Sequence, residues 1–198
     1  MGASPALRYV SAGMEAERSP RRVVTTHLEL TEPAQLVPAR PSRTPYTVQR
    51  VGRPSSEFSR FLFRAVGGDW YWLSRIDWTL DRWRAWVERP EVQTWVAYVD
   101  GSPAGYGELE TQTGGDVEIR YFGLLPAFVG LGMGGALLTD VVRRAWAIDG
   151  TRRVWLHTCD LDHPRALANY QARGFRIFKV EEGIEHLPAK SPGPWRGA

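Results

Sequence analysis

The stretch VEIRYFGLLPAFVGLGMGGALL, residues 117–138, decides the fold of this 198-residue chain. It begins as an alternating strand, crosses Pro126 and a run of spaced glycines, and turns helical, with Ala136, Leu137, Leu138, Val141, Val142 and Ala145 on a helical period. A strand that enters a helix through glycine leaves the first helical N–H groups free and aims the positive end of the helix dipole at a ligand, which suits a pyrophosphate. Gly130, Gly132, Gly134 and Gly135 have no Cβ, so a ligand can come close to the backbone. Glycine spacing alone does not name the ligand. A Rossmann fingerprint needs an acidic residue at the end of a second strand, whereas Asp149 precedes Gly150 at a helix end. A Walker loop needs Gly-Lys-Ser or Gly-Lys-Thr, and this segment has no lysine.

Working outward, VVTTHLEL (23–30) and YTVQRV (46–51) read as strands, separated by the proline-punctuated EPAQLVPARPSRTP. FSRFLFRAV (58–66) and TLDRWRAWVE (79–88) place aromatics at helical spacing. QTWVAYV (93–99) and AGYGELE (104–110) flank Asp100-Gly101, a hairpin signal. A turn at Gly114-Gly115 leads into 117–124, which makes three consecutive antiparallel strands. A strand at 153–158, a helix at about 165–173 and a strand at 175–181 follow. Residues 1–22 read as a disordered basic tail, 23–182 as one domain, and 183–198 as a Pro/Gly-rich tail.

With 43% hydrophobic residues the chain can bury a proper core. No apolar run approaches a membrane span, and the N-terminus lacks the apolar region of a secretory signal, so no membrane association is expected. Cys159 is the only cysteine, which excludes an intrachain disulfide and makes the cytoplasm the expected compartment. The +3 charge is uneven: residues 1–64 hold ten arginines against five glutamates. These arginines are scattered among prolines, so a nucleic-acid partner is not expected.

Gly132-Met133-Gly134 after a strand, the apolar helix, the strand at 153–158 and then ALANYQARGF (166–175) resemble the GNAT superfamily of acetyl-CoA-dependent N-acetyltransferases. YFGLLP before the glycines and HTCDLDHP before ALANY are similar to a bacterial subgroup whose substrates are mostly unassigned. The likeness covers roughly residues 46–182 and is strongest over 118–175. It implies an α/β (α+β) fold, a mixed and mostly antiparallel central sheet flanked by helices, with splayed central strands that bind acyl-CoA. It also implies transfer of an acetyl group from acetyl-CoA to a primary amine, here expected on a small molecule, without a metal. The alternatives are a protein lysine or N-terminal acetyltransferase, or a catalytically silent acyl-CoA-binding module. By analogy the chain is a monomer or a homodimer.

The resemblance assigns residues as follows. Gly123, Leu124 and Leu125 match the splayed strand end that bonds the pantetheine arm, and Gly130, Leu131, Gly132, Met133, Gly134 and Gly135 match the phosphate seat. His163 falls where relatives carry an asparagine that contacts the cofactor arm; alternatively Asp162 or His163 caps the next helix. Val129 stands where the family usually has Gln or Arg, and Leu131 where a basic residue is common. A missing guanidinium forfeits a charge-assisted bond of about 1.5–3 kcal/mol, unless another arginine compensates. Glu118, fourteen residues before Gly132, matches the general base; otherwise it is a glutamate paired with arginine. Glu108 and Glu110 are reserve bases. Tyr170, four before Gly174, matches the acid that protonates the departing thiolate, or is core. Strand alternation places Glu118, Arg120 and Phe122 on one face and Val117, Ile119 and Tyr121 on the other.

For the acceptor, Trp70, Trp72, Trp78, Trp83 and Trp86 are interleaved with Asp69, Asp77 and Asp81, a setting for an ammonium group. Trp83 and Trp86, at i and i+3, read equally as core, which leaves Trp70 and Trp72 as the expected cleft wall. Arg120, beside Glu118, is a candidate to hold a substrate carboxylate.

Overall fold

The computed structural model describes residues 18–195. Its elements run β1 (Arg18–Leu30), β2 (Thr47–Arg50), α1 (Ser56–Gly67), α2 (Leu80–Val87), β3 (Val92–Val99), β4 (Ser102–Thr111), β5 (Asp116–Leu124), α3 (Met133–Trp146), β6 (Arg153–Cys159), α4 (Ala166–Ala172) and β7 (Arg176–Pro188). The strands form one sheet in the order β2-β3-β4-β5-β6-β1-β7. Every neighbouring pair is antiparallel except β5 with β6.

Local chemistry accounts for the element boundaries. Ser55 and Thr79 cap α1 and α2, their side chains accepting from the N–H of Phe58 and Arg82. Asp100 and Gly101 both take positive φ, the backbone that a two-residue hairpin between β3 and β4 requires. α3 and α4 cover one face of the sheet, where Leu137, Leu138, Val141 and Tyr170 pack against Leu28, Leu109, Val117, Ile119 and Leu156. α1 and α2 cover the other face, with Leu62 and Val66 against Val96 and Tyr106, and Phe63 against Trp83.

Two expectations shift. β1 begins at Arg18, so residues 18–22 of the expected tail are strand, and residues 1–17 lie outside the described residues. β7 runs to Pro188, so the expected C-terminal tail gives up residues 183–188 to pairing with β1, while 196–198 lie outside the described residues. Backbone pairing joins these segments in registers such as Arg22↔Ile184, and with Leu187 as their one buried side chain they have no alternating pattern to read. Pro20 is tolerated because β6 pairs only with residues 25–30 of β1, leaving that part of β1 without a second neighbour.

Two irregularities in β5 create the site. β5 pairs with β6 through Asp116↔Arg153, Val117↔Val154 and Glu118↔Trp155 only, after which the strands part. Against β4, Tyr121 faces Glu108 and Ile119 faces Leu109, so Arg120 is an unmatched bulge residue. The bulge inverts the alternation expected for β5. Tyr121 packs with Phe63 and Trp72 on the α1 side, while Phe122 packs against Tyr170 on the α4 side.

Candidate active site

Beyond Glu118 the β6 side of β5 has no strand partner, so the backbone of residues 119–124 offers an open edge to an extended ligand arm. Gly123 matters here for packing: a Cβ at that position would meet Val66 Cγ1 of α1 at 2.5 Å. The chain then passes Leu125 and enters α3 through Gly130 (φ 88°) and Gly132 (φ 78°, the N-cap), both left-handed. No backbone N–H of residues 130–135 donates to another group among the described residues, and no side chain caps α3. Val129 and Leu131 are exposed and Met133 is buried. An acyl-CoA fits this geometry, with an unpaired strand edge for its amide arm and a helix N-terminus for its phosphates.

The guanidinium absent from position 129 has a neighbour in space. A Cβ on Gly135 would stand 2.5 Å from Arg173 Nη1, which places that guanidinium against the first turn of α3. Asn169 reaches the same turn, its Nδ2 donating to the carbonyl of Gly134 at 3.5 Å. Sequence reading passed over Arg173, although its place three residues after the expected acid, Tyr170, was a signal.

Glu118 lies fully buried at the fork where β5 and β6 part. Its Oε2 accepts from Gln112 Nε2 at 2.8 Å and Arg120 Nη1 at 2.7 Å. Gln112 in turn accepts from Trp155 Nε1 at 3.1 Å. Oε1 has no hydrogen-bond donor; His157 Nδ1 stands 3.4 Å away, within ion-pair range but without hydrogen-bond alignment. Burial acts to raise the Glu118 carboxyl, and His157 and Arg120 outweigh it and hold the group below its ordinary value.

Of the reserve bases, Glu108 is buried and spoken for, gripped at 3.1 and 2.7 Å by Arg75 and at 3.1 Å by Trp86 Nε1. Glu110 pairs with Arg89 at 2.8 Å. Arg120, expected to hold a substrate carboxylate, is already engaged with Glu118 at 2.7 Å and Glu110 at 3.6 Å.

Tyr170 is 7% exposed, edge-on to Phe122 and Phe175, and its hydroxyl makes no hydrogen bond among the described residues. Burial, with the nearby Asp162 carboxylate, pushes its pKa up, so the phenol keeps its proton. Asp162 also ties the end of β6 to the loop after α1: it accepts from Trp72 Nε1 at 3.2 Å, Thr158 Oγ1 at 2.6 Å and the N–H of Cys159 at 3.1 Å. His163 Nδ1 accepts from the N–H of Arg165 at 3.1 Å, and its ring meets Trp70 edge-on at 4.9 Å. Trp70 and Trp72 therefore stand together at the β6–α4 junction, both half-buried.

Trp78, Trp83 and Trp86 gather instead around a cation of the chain's own. The chain's own Arg75, 2% exposed, sits 4.4 Å from the ring centroids of Trp86 and Tyr121 and 4.7 Å from that of Trp78, with Glu108 as counter-ion. The setting of aromatics and a carboxylate expected for a substrate cation is filled from within. A separate recess of about 350 Å³ between α1 and α2 is lined by residues such as Arg60, Phe61 and Trp78 and includes none from β5, β6 or α3. Burial, then the Asp162 charge, pushes the Cys159 thiol up to about 11, so it is no nucleophile at neutral pH.

The sequence matches the model of the acetyltransferase (GNAT) family over residues 59–175. A search of curated proteins gives no match. Among solved structures, a functionally unknown conserved protein from Staphylococcus epidermidis is similar over 83% of this chain at 19% identity (TM-score 0.60). A GCN5-related N-acetyltransferase from Kribbella flavida is similar over 84% at 18% identity (TM-score 0.59). An aminoglycoside acetyltransferase from a soil metagenome, solved with trehalose, is similar over 65% of this chain and 86% of its own at 14% identity (TM-score 0.54). The chain spans 62% and 58% of the length of the first two. At these identities the likeness is one of fold.

Proposed function

The chain belongs to the acetyltransferase (GNAT) family, and on that premise we propose that it transfers an acetyl group from acetyl-CoA directly to a primary amine of a small molecule. The observation that carries this reading is the open β5 edge leading into the uncapped, glycine-entered N-terminus of α3. Acetyl-CoA bound there supplies the activated thioester. Residues 123–125 align its arm by main-chain bonds, and residues 130–135 with Arg173 receive the phosphates. Glu118 supplies the negative charge that favours deprotonation of the acceptor ammonium, and Arg120 is a positioning partner of Glu118. Tyr170, kept protonated by burial, donates to the departing sulfur. Trp70 and Trp72 wall the mouth of the split, and His163 holds Trp70 from behind. A single free cysteine suits a reducing cytoplasm.

Calorimetric titration with acetyl-CoA tests the first half. Saturable micromolar binding competed by free CoA is expected, and no binding up to millimolar concentration overturns the assignment. A panel of small amines and peptides assayed for CoA release then tests the acceptor, with turnover expected on small amines; turnover on peptides alone would shift the acceptor to protein.

A further inference from the structure

Glu118 lies at the fork, yet it is sealed: its side chain has no solvent exposure, and Oε2 is taken by Gln112 and Arg120. A primary ammonium arriving from solvent cannot touch it. The oxygen that remains, Oε1, is buried without a donor, and Nδ1 of His157 stands 3.4 Å from it. His157 stands two residues beyond Trp155, the last β6 residue paired with β5, and therefore on the same face as Trp155 where the split opens. Its side chain is 44% exposed, and Nε2 bonds nothing among the described residues. One imidazole thus spans the distance from an orphaned buried carboxylate oxygen to open solvent at the fork.

From this geometry we infer that His157 is the group that takes the proton from the acceptor amine, and that Glu118 is its positioning residue. The inference rests on the acetyltransferase reading above. Glu118 Oε1 holds the Nδ1–H tautomer, which leaves the Nε2 lone pair facing the acceptor. A separation of 3.4 Å is what an unliganded relay shows before substrate tightens it. In the transfer the amine nitrogen bonds the thioester carbonyl carbon and the C–S bond breaks with its electron pair on sulfur. The surplus amine proton passes to Nε2 of His157 and on to solvent, and the sulfur takes a proton from Tyr170, which regains one from solvent when the products leave. The products are the acetylamide and free CoA.

The acceptor then approaches over the face of β6 and β1, and the tryptophan cluster whose cation place Arg75 fills lies outside its path. The charged groups around His157 come from three strands. They are Glu118 with Arg120 on β5, His27 on β1 at 5.7 Å between ring centroids, and Glu181 on β7, which meets His27 Nε2 at 2.8 Å and Lys179 at 2.7 Å.

The test compares wild type, His157→Ala and Glu118→Gln in steady-state transfer to the best amine of the panel, across pH, with acetyl-CoA affinity measured by calorimetry. For His157→Ala the expected results are a kcat loss of about 100-fold or more, acetyl-CoA affinity within twofold, loss of the acid limb of the pH profile, and recovery of at least about tenfold on adding free imidazole. Glu118→Gln should lose a similar factor, and the double variant little more than either single one. If His157→Ala keeps kcat within about threefold of wild type, or its loss is not rescued by imidazole, the relay is overturned while the acetyltransferase reading stands. If wild type binds no acetyl-CoA, or acetylates no amine or peptide, that reading fails and the relay falls with it.

Discussion

Three side chains carry residue-scale predictions. Tyr170→Phe should lower kcat by about 10²-fold or more with unchanged acetyl-CoA affinity, because it removes a proton and no contact to the phosphate seat; steady-state kinetics beside calorimetry checks this. Cys159, with its thiol pushed up to about 11, is roughly 0.1% thiolate at pH 8. Iodoacetamide should therefore modify it about 100-fold more slowly than free cysteine in the native protein and at the ordinary rate in denaturant, which intact mass spectrometry follows. For Glu118 the sign is fixed by its depressed pKa. The charged form adds stability above the ordinary value of 4.5, and that contribution is lost as pH falls through the lower folded value. The difference in urea midpoint between wild type and Glu118→Gln should shrink as the pH is lowered below about 4.5. Glu118 and Tyr170 came forward as candidates because each sits at a fixed spacing from a glycine motif, Gly132 and Gly174. Arg75 did not, since a buried cation is recognised only by what surrounds it, and Glu108 and Tyr121 lie on strands more than thirty residues away.

At the scale of elements, the strand-to-helix passage from β5 into α3 was readable residue by residue, as were the other nine helices and strands to within a few positions, apart from the longer reach of β1 and β7. The inversion at Arg120 was not. Alternation continues smoothly in the text EIRYF, and the bulge exists only because β4 offers one residue where β5 offers two. The consequence is structural: Tyr121 moves to the α1 side, against Trp72, and Phe122 to the α4 side, against Tyr170. Arg173 belongs to the same scale, since α4 delivers it to the first turn of α3. Arg173→Ala should raise the Kd for acetyl-CoA by about tenfold, the worth of one charge-assisted bond, with little change in Tm. Titration of the variant against wild type decides it.

Across the whole molecule, the order β6-β1-β7 makes the first described strand an interior member of the sheet, bonded to β6 on one side and to β7 on the other. Leu28 and Leu30 of β1 are fully buried in the main core beneath α3 and α4. That adjacency joins segments from opposite ends of the chain, so no local pattern announces it. β1 pairs Arg18 with Pro188 and Leu30 with Val154, partners made only after the whole span from β2 to α3. The central span from β2 to α3 can pair its neighbours as it is made, whereas β1 must wait, extended and partly apolar, until β6 and β7 have been synthesised. The same topology that closes the sheet therefore sets the order of assembly, with β1 made before the other strands of this sheet yet among the last to dock, and exposed to aggregation or chaperone capture until then.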